Sequence, residues 1–316
     1  MNHYAIGIDI GGTNTVVGLV NAEGKVVSRE ALKTQDYFKG DVFIEDIISV
    51  IRRILKDNGV SEVEGIGIGA PNANYVTGQI EANTANLRIK ECIPMCDAIG
   101  RALNTTTVLS NDADAAALGE RIYGGAKECD NFVMVTLGTG VGSGFFADSR
   151  IVHGQNCMAG ELGHITIFPD GRECTCGRRG CLETYTSARG ICQTFKELAA
   201  QHPDNNPSNI DLDNITSRDV GMLANEGNAI AIETFNRTAK ILAIGLANAA
   251  AFSNPAKIFL MGGPTKVGAP LLDPLKRYFK EQLLFIYKDR VEIELSQLDD
   301  NDAAILGAAA LVHLKK

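Results

Sequence analysis

The chain of 316 residues is long enough for two domains of ordinary size, and its 45% apolar and 22% charged residues are typical of a soluble globular protein. A net charge of −8 argues against nucleic acid as the main partner, because neutralising phosphates needs a basic surface. No apolar run approaches the roughly 20 residues that span a bilayer, so we expect no membrane partner.

The first half of the sequence predicts an α/β unit with the order β-β-β-α-β-α-β-α. Its strands are expected over 4–9, over 16–20, from 26, over 65–69 and over 107–110. A wide apolar stripe predicts a helix over 42–55, and an alanine-rich helix follows Asn111-Asp112. The first strand begins at Tyr4 with no basic segment before it, so we expect no signal peptide and a cytoplasmic protein.

The second half of the sequence repeats this theme. Strands are expected over 131–137, 145–147, 258–261 and 291–295, helices over 188–201, 228–252, 271–282 and 302–314, and a surface loop over 202–214. A strand, a glycine turn and a second strand occur over both 4–33 and 131–154, which indicates an internal duplication. We therefore expect two α/β lobes with a central cleft.

The expected boundary between these lobes lies at 115. The smaller lobe covers 1–115 and is joined by the C-terminal helix over about 303–316, and the larger lobe covers 116–302 with a cysteine-rich loop.

Two glycine turns follow strands in these lobes. In the first, Asp9 stands at a strand end and is followed by Gly11, Gly12, Thr13 and Asn14. Successive backbone amides in such a turn can bind an anion, and a carboxylate beside it can hold Mg²⁺, usually through water. A glycine hairpin capped by an aspartate is the alternative interpretation.

The second turn lies within Thr136–Gly144 and carries four glycines together with Thr139 and Ser143. It is not a P-loop, because no Gly-Lys-Ser/Thr follows. It is not a dinucleotide-binding fingerprint either, because a strand follows where that motif has a helix. Two glycine hairpins facing one cleft are typical of a protein that holds the phosphates of a nucleotide.

A cluster of metal-binding residue types follows the second turn. His164, Cys174, Cys176 and Cys181 supply three thiolates and one imidazole, the closed ligand set of a structural zinc ion. The alternative is three buried thiols near an ordinary histidine. Glu161 and Glu183 flank this cluster, so a metal there would also fix where their carboxylates point. The remaining five cysteines are expected to be unpaired: Cys92, Cys96, Cys129, Cys157 and Cys192.

These motifs together resemble a known family. In chain order they read Asp-Ile-Gly-Gly-Thr, Leu-Gly-Thr-Gly-Val-Gly-Ser-Gly, Glu-Leu-Gly-His and Cys-X-Cys-Gly-X-X-Gly-Cys-X-Glu. The whole chain resembles the ROK family (repressor, open reading frame, kinase), and in particular its glucokinase-like sugar kinases. The resemblance implies the actin/hexokinase-like ATPase fold and a homodimer or a dimer of dimers.

The resemblance also implies a set of site residues. Asp112 matches the catalytic base, although an Asn-Asp pair before a helix is also a good N-cap. Asp114, in the first helical turn, is expected only to interact with the helix dipole. The implied sugar contacts are Asn86, Asn111, Asp112, Glu161, His164 and Glu183. The implied ATP and Mg²⁺ residues are Asp9, Gly11, Gly12, Thr13, Asn14, Gly138, Thr139, Gly140, Gly262 and Gly263.

The sequence departs from the family pattern in two places. Arg88-Ile89-Lys90 stands where many glucokinases have Pro-Gly-Trp, which leaves the preferred sugar open. Pro264 stands where many relatives have a third glycine, and proline offers no amide donor to a nucleotide.

The implied activity is ATP-dependent phosphorylation of the 6-hydroxyl of glucose or a related hexose. The alternative substrates are N-acetylmannosamine, N-acetylglucosamine, allose, mannose and fructose. A sugar-responsive transcriptional repressor is disfavoured, because that branch carries an N-terminal DNA-binding domain and here the first strand begins at Tyr4.

Overall fold

The computed structural model describes residues 3–84, 86–201, 211–299 and 301–314. The chain forms two compact units. The first unit comprises Met1–Cys129, Ile151–Ala159 and Gln297–Lys316, and the second comprises Asp130–Arg150 and Gly160–Ser296.

The first unit is built on a five-stranded sheet with the order β3-β2-β1-β4-β7. These strands are β1 (Tyr4–Ile10), β2 (Thr15–Asn21), β3 (Val26–Leu32), β4 (Ile66–Gly69) and β7 (Thr107–Ser110). A separate hairpin pairs β5 (Ala73–Asn74) with β6 (Gln79–Ile80). The helices of the unit are α1 (Gly40–Asp57), α2 (Met95–Leu103), α3 (Asp112–Ile122) and α9 (Ala303–Ala310).

The direction of the strands places the candidate site. β1, β2 and β3 are antiparallel, whereas β1, β4 and β7 run parallel. The carboxyl ends of these three parallel strands therefore meet at one edge of the sheet.

Two helices complete the core of the first unit. The apolar stripe of α1 buries Phe43, Ile47 and Ile51 completely, as the helical spacing predicts. Helix α9 packs on β1, β4 and α3, and its alanines permit a close approach. Helix α3, which the expected boundary at 115 would cut, remains whole in the first unit because it packs along α9.

The second five-stranded sheet has the order β10-β9-β8-β11-β12. Its strands are β8 (Phe132–Leu137), β9 (Val141–Ala147), β10 (Arg150–Ile151), β11 (Lys257–Met261) and β12 (Glu292–Leu295). The helices of the second unit are α4 (Glu183–Thr186), α5 (Ala188–Gln201), α6 (Ser217–Asn225), α7 (Ala229–Ser253) and α8 (Ala269–Gln282). In both sheets a hairpin is followed by two parallel strands, so the predicted repeat of the strand pattern is present.

Some sequence-based boundaries were wrong. Strand β9 begins at Val141, inside the glycine run, because Gly142 and Gly144 pair with β8 as strand residues. The last helix ends at Ala310 and continues only as a 3-10 turn over Leu311–His313. Helix α6 and the hairpin β5–β6 were not predicted. Of the predicted loop over 202–214, residues 202–210 lie outside the described residues.

None of the described helices combines the length and the apolar content that crossing a membrane requires.

Candidate active site

Asp9 and Asp112 stand at the carboxyl edge of the first sheet. Asp9 on β1 pairs with Gly69 on β4, and Gly69 pairs with Ser110, the last residue of β7. Asp112 begins α3 two residues later. Burial raises the pKa of Asp9 to about 6, and the charge of Asp112 adds to the increase. A buried carboxylate of raised pKa beside a second carboxylate forms a site suited to a cation or a proton.

The carboxylate of Asp112 lies in a mixed environment. Solvent reaches the residue, but protein atoms surround the carboxylate closely enough for desolvation to raise its pKa. The charge of Asp114 also raises that pKa, while the backbone N–H groups of Asp112 and Ala113 oppose the shift. A raised pKa makes a carboxylate a stronger base toward a hydroxyl group.

Asn111 is the N-cap of α3. Its Oδ1 accepts a hydrogen bond from the backbone N–H of Asp114 at 2.7 Å. The N-cap interpretation is therefore correct for the side-chain oxygen. The amide nitrogen of Asn111 is the part of this side chain that can donate to a sugar hydroxyl.

The first glycine turn contacts Asn86. The backbone N–H of Gly11 donates to the carbonyl of Asn14 at 2.9 Å, which closes the turn. A Cβ on Gly12 would lie 2.8 Å from the carbonyl oxygen of Asn86, so this close approach requires glycine. Thr13 and Asn14 are exposed. The turn predicted to bind phosphate and a predicted sugar contact are therefore neighbours within the first unit.

The second glycine turn is Gly138-Thr139-Gly140, and it contacts Glu183. The backbone N–H of Val141 donates to Oε2 of Glu183 at 2.9 Å. A Cβ on Gly140 would lie 2.3 Å from the same oxygen. The carbonyl of Gly138 accepts from the N–H of Ala188 at 2.8 Å, which holds the turn against the start of α5. Oε2 of Glu183 thus fixes the turn.

Ser143 holds the chain on both sides of Glu161. This buried side chain donates a short hydrogen bond to the carbonyl of Gly160 and accepts one from the N–H of Leu162 at 3.3 Å. The Ser143 hydroxyl therefore holds the backbone that positions the exposed Glu161.

His164, Cys174, Cys176 and Cys181 come together as the sequence predicted. One ligand atom from each residue lies within 4.8 Å of all the others. Nδ1 of His164 is 3.6 Å from Sγ of Cys174, and Sγ of Cys176 is 3.6 Å from Sγ of Cys181. Zn–S bonds of about 2.3 Å in a tetrahedron place sulfur atoms about 3.8 Å apart, so the four residues fit a zinc ion.

The surroundings of this cluster shift the pKa values of two of its thiols in opposite directions. Partial burial opposes ionisation of Cys176, but hydrogen bonds from Arg178 and from the other thiols outweigh it and lower its pKa to about 6. Burial and the neighbouring thiols raise the pKa of Cys181 to about 12. Nη2 of Arg178 also donates to the carbonyl of His164 at 2.6 Å. A dication would remove the competition between the thiols by stabilising all of them as thiolates.

The predicted sugar contacts of the second unit surround this cluster. Nε2 of His164 is 3.9 Å from Oε2 of Glu161, so the ring nitrogen that does not face Cys174 points toward that carboxylate. Oε1 of Glu183 is 4.0 Å from Sγ of Cys174. The structure therefore brings Glu161, His164 and Glu183 to one place.

The glycine pair after β11 lies beside the second glycine turn. Gly262 has a φ of +114°, and a Cβ there would lie 2.1 Å from the carbonyl oxygen of Leu137. Gly263 is exposed and its Cβ position is open. Pro264 is buried in a 3-10 turn, so a ligand at this strand end would meet Gly263.

Sequence reasoning underestimated Asp114 and missed His153. We expected Asp114 only to interact with the helix dipole, but its side chain is 3% exposed and contacts other side chains. Its Oδ2 accepts from Ser110 at 3.1 Å and lies 3.3 Å from Nδ1 of His153. No spacing pattern connects these residues, because the contact depends on the fold of the first unit.

The family model of the ROK family matches residues 5–315. The chain is 33% identical to a glucokinase of Halalkalibacterium halodurans over 98% of this chain and 95% of that protein. It is 31% identical to a glucokinase of Streptomyces coelicolor over 98% of this chain and 97% of that protein. The N-acetylglucosamine repressor of Escherichia coli is 27% identical over 98% of this chain and 75% of its own length.

Solved structures of ROK sugar kinases are also similar to this chain over nearly its whole length. A ROK glucokinase of Streptomyces griseus, in complex with glucose and AMPPNP, has a TM-score of 0.80 at 29% identity and 98% coverage of both chains. The ROK hexokinase of Thermus thermophilus has a TM-score of 0.78 at 26% identity, over 98% of this chain and 97% of that one. These similarities confirm the actin/hexokinase-like ATPase fold. With the family model matching almost the whole chain, this protein belongs to the ROK family.

Proposed function

We propose that the protein is an ATP-dependent hexose kinase that phosphorylates the 6-hydroxyl of glucose. The observation that carries the proposal is the position of Asp112, a carboxylate of raised pKa at the carboxyl end of β7, beside Asp9. The similarity to glucokinases over nearly the full length of the chain supports glucose as the substrate.

In the proposed reaction Asp112 acts as the base. As the 6-oxygen of the sugar attacks the γ-phosphorus of ATP, its proton passes to the carboxylate of Asp112, and ADP leaves. The bond from the γ-phosphorus to the β–γ bridging oxygen breaks, and a bond from that phosphorus to the sugar oxygen forms. Asn111 orients the sugar through its amide nitrogen, while its oxygen remains bound to the helix as N-cap.

The nucleotide is held by backbone amides in this proposal. Gly11, Gly12, Thr13 and Asn14 supply one set, and the second set comes from Gly138, Thr139, Gly140, Gly262 and Gly263. The carboxylate of Asp9 fits Mg²⁺, because carboxylate oxygen is the donor that this ion prefers. When bound with ATP, Mg²⁺ neutralises charge on the phosphates.

The sugar is recognised by acceptors that need hydroxyl donors. Glu161 and Glu183 accept from hydroxyl groups, His164 offers Nε2, and Asn86 contributes from beside Gly12. A sugar that lacks one of these hydroxyls leaves a carboxylate without its partner, and such a site rejects the analogue.

His164, Cys174, Cys176 and Cys181 would hold a structural zinc ion, which supplies rigidity and no reactive position. Its role in the proposal is to orient His164 and Glu183 through Cys174, which contacts both side chains. We also propose a cytoplasmic location, since thiolate ligands stay reduced there, and a homodimer or a dimer of dimers.

A panel of sugars tests the proposal. ADP release is measured with glucose, mannose, fructose, allose, N-acetylglucosamine and N-acetylmannosamine, and the expected result is the highest kcat/KM with glucose. A higher kcat/KM with an N-acetylated sugar would move the substrate to that class, and no turnover with any hexose would overturn the proposal. Repressors also match this chain, so a gel-shift assay with promoter DNA accompanies the panel.

A further inference from the structure

We propose that His153 is a positioning residue for phosphoryl transfer, because it balances the buried carboxylate of Asp114 and thereby holds the turn that carries Asp112. The inference rests on the proposed kinase function for its kinetic consequence, but its structural basis lies in the contacts of Asp114 and His153.

Asp114 binds both residues that precede Asp112. Its side-chain Oδ2 accepts from the hydroxyl of Ser110 at 3.1 Å, and its backbone N–H donates to Oδ1 of Asn111 at 2.7 Å. Residue 114 therefore ties the end of β7 to the first turn of α3. The direction of the Asp112 side chain depends on that connection, since Asp112 lies within the loop that it closes.

Among the described residues, the ion-pair contact that the structure shows for the Asp114 carboxylate is with the ring of His153. Nδ1 of His153 lies 3.3 Å from Oδ2, and the two side chains are 21% and 4% exposed. The contact lacks the alignment of a hydrogen bond, and Oδ1 of Asp114 has no hydrogen-bond partner. The imidazole of His153 stacks on Tyr75, with ring centroids 4.5 Å apart and an angle of 10°. A buried carboxylate with few polar contacts depends on each polar group that lies against it.

The other contacts that the structure shows for residue 114 are with the hydroxyl of Ser110 and the side chain of Asn111. The charge of Asp114 also acts on the carboxylate of Asp112. Loss of the His153 ring would leave the Asp114 carboxylate without the ring nitrogen that lies against it. The expected response is a displacement of the turn, which carries the base but not the carboxylates of Glu161 and Glu183.

The test is a double-mutant cycle with His153→Gln and Asp114→Asn. We expect His153→Gln to lower kcat about tenfold, the effect of one lost interaction of moderate strength, with smaller changes in the KM for glucose and for ATP. In the Asp114→Asn background the same substitution is expected to change kcat less than about twofold, because no buried charge remains to be balanced. His3→Gln is the matched control, since His3 pairs with Glu64 on the exposed surface of the same unit.

An equal loss of kcat in both backgrounds, or no loss in either, would overturn the inference. If His153→Gln does not fold, the double variant is compared with Asp114→Asn alone; equal kcat supports the inference and a tenfold difference contradicts it. Hydrogen exchange of the backbone amides over 112–115 gives a readout that needs no activity. Faster exchange is expected in His153→Gln and not in the double variant. If the wild-type protein phosphorylates no hexose, the proposed function fails. The hydrogen-exchange measurement then decides by itself whether His153 holds the turn.

Discussion

Oε2 of Glu183 accepts a hydrogen bond from the backbone N–H of Val141 at 2.9 Å, which links a proposed sugar contact to the second glycine turn. The same carboxylate lies beside Cys174, a residue of the proposed zinc site. One side chain therefore contacts the proposed binding elements for sugar, phosphate and metal, and a change in it should affect more than one of them.

Glu183→Gln is expected to raise the KM for glucose about tenfold or more. The amide keeps an oxygen that can accept from Val141, but it loses the charge that strengthens hydrogen bonds from the sugar hydroxyls. Steady-state kinetics with glucose and with ATP measure the effect. Glu233→Gln is the control, because Glu233 pairs with Arg237 on the surface of α7. An unchanged KM for glucose in Glu183→Gln would remove Glu183 from the sugar site.

Zinc removal is expected to weaken sugar binding before it unfolds the protein. The purified protein should contain about one zinc ion per chain, because its four ligands close one tetrahedral shell. Cys176→Ser should lose the metal, and its KM for glucose should rise. Cys92→Ser changes an exposed cysteine outside the cluster, so it should keep the metal and an unchanged KM. Metal analysis, thermal unfolding and kinetics are measured on the same samples. A Cys176→Ser variant without zinc but with an unchanged KM would make the cluster a structural element only.

Asp9→Asn is expected to stabilise the metal-free protein at pH 8. The folded-state pKa of Asp9 is raised from 3.8 to about 6, so its ionised form costs free energy in the folded state. This cost is absent below the unfolded pKa and is fully present above the folded one. At roughly 1.4 kcal/mol per pKa unit the gain above pH 6 is about 3 kcal/mol, and it should disappear near pH 4.

Urea unfolding with a chelator present, at both pH values, measures this gain. Asp41→Asn, which changes an exposed aspartate in the first turn of α1, is the control. If the difference in unfolding free energy between Asp9→Asn and wild type is the same at both pH values, the raised pKa of Asp9 is contradicted.

The acid limb of kcat/KM is expected to move when Asp114 loses its charge. The base must be ionised to accept a proton, and the charge of Asp114 raises the pKa of Asp112. Activity should therefore fall at a higher pH than for an ordinary aspartate, and Asp114→Asn should shift that fall to lower pH. pH profiles of both proteins measure the shift. A shift to higher pH would show that Asp114 acts on Asp112 by something other than its charge.

Much of the fold was predictable because its signals are local. The apolar stripe of α1 and the two strand–glycine–strand patterns identify elements from residues close in sequence. The start of β9 was placed too late because Gly142 and Gly144 have no side chains and so show no alternation. Helix α6 was missed because it follows directly on a polar segment that reads as a loop.

The features of the candidate site likewise fall into those that local sequence predicts and those that depend on contacts between distant elements. The proximity of His164 and the three cysteines was predictable, because Cys-X-Cys spacing brings side chains together with few degrees of freedom. The roles of Asp114, Ser143 and His153 were not, since each depends on a contact between elements distant in the sequence. The roles assigned to Asp112 and to the sugar contacts stay predictions.

The most direct test of the account is ³¹P NMR of glucose phosphorylation by the wild-type protein and by Asp112→Asn, with ATP and Mg²⁺. We expect glucose 6-phosphate from the wild type. For Asp112→Asn we expect a rate at least about a thousandfold lower, because the base is lost, while glucose and an ATP analogue still bind. A variant within about tenfold of the wild-type rate, or a wild-type product that carries phosphate elsewhere or is not formed, would contradict it.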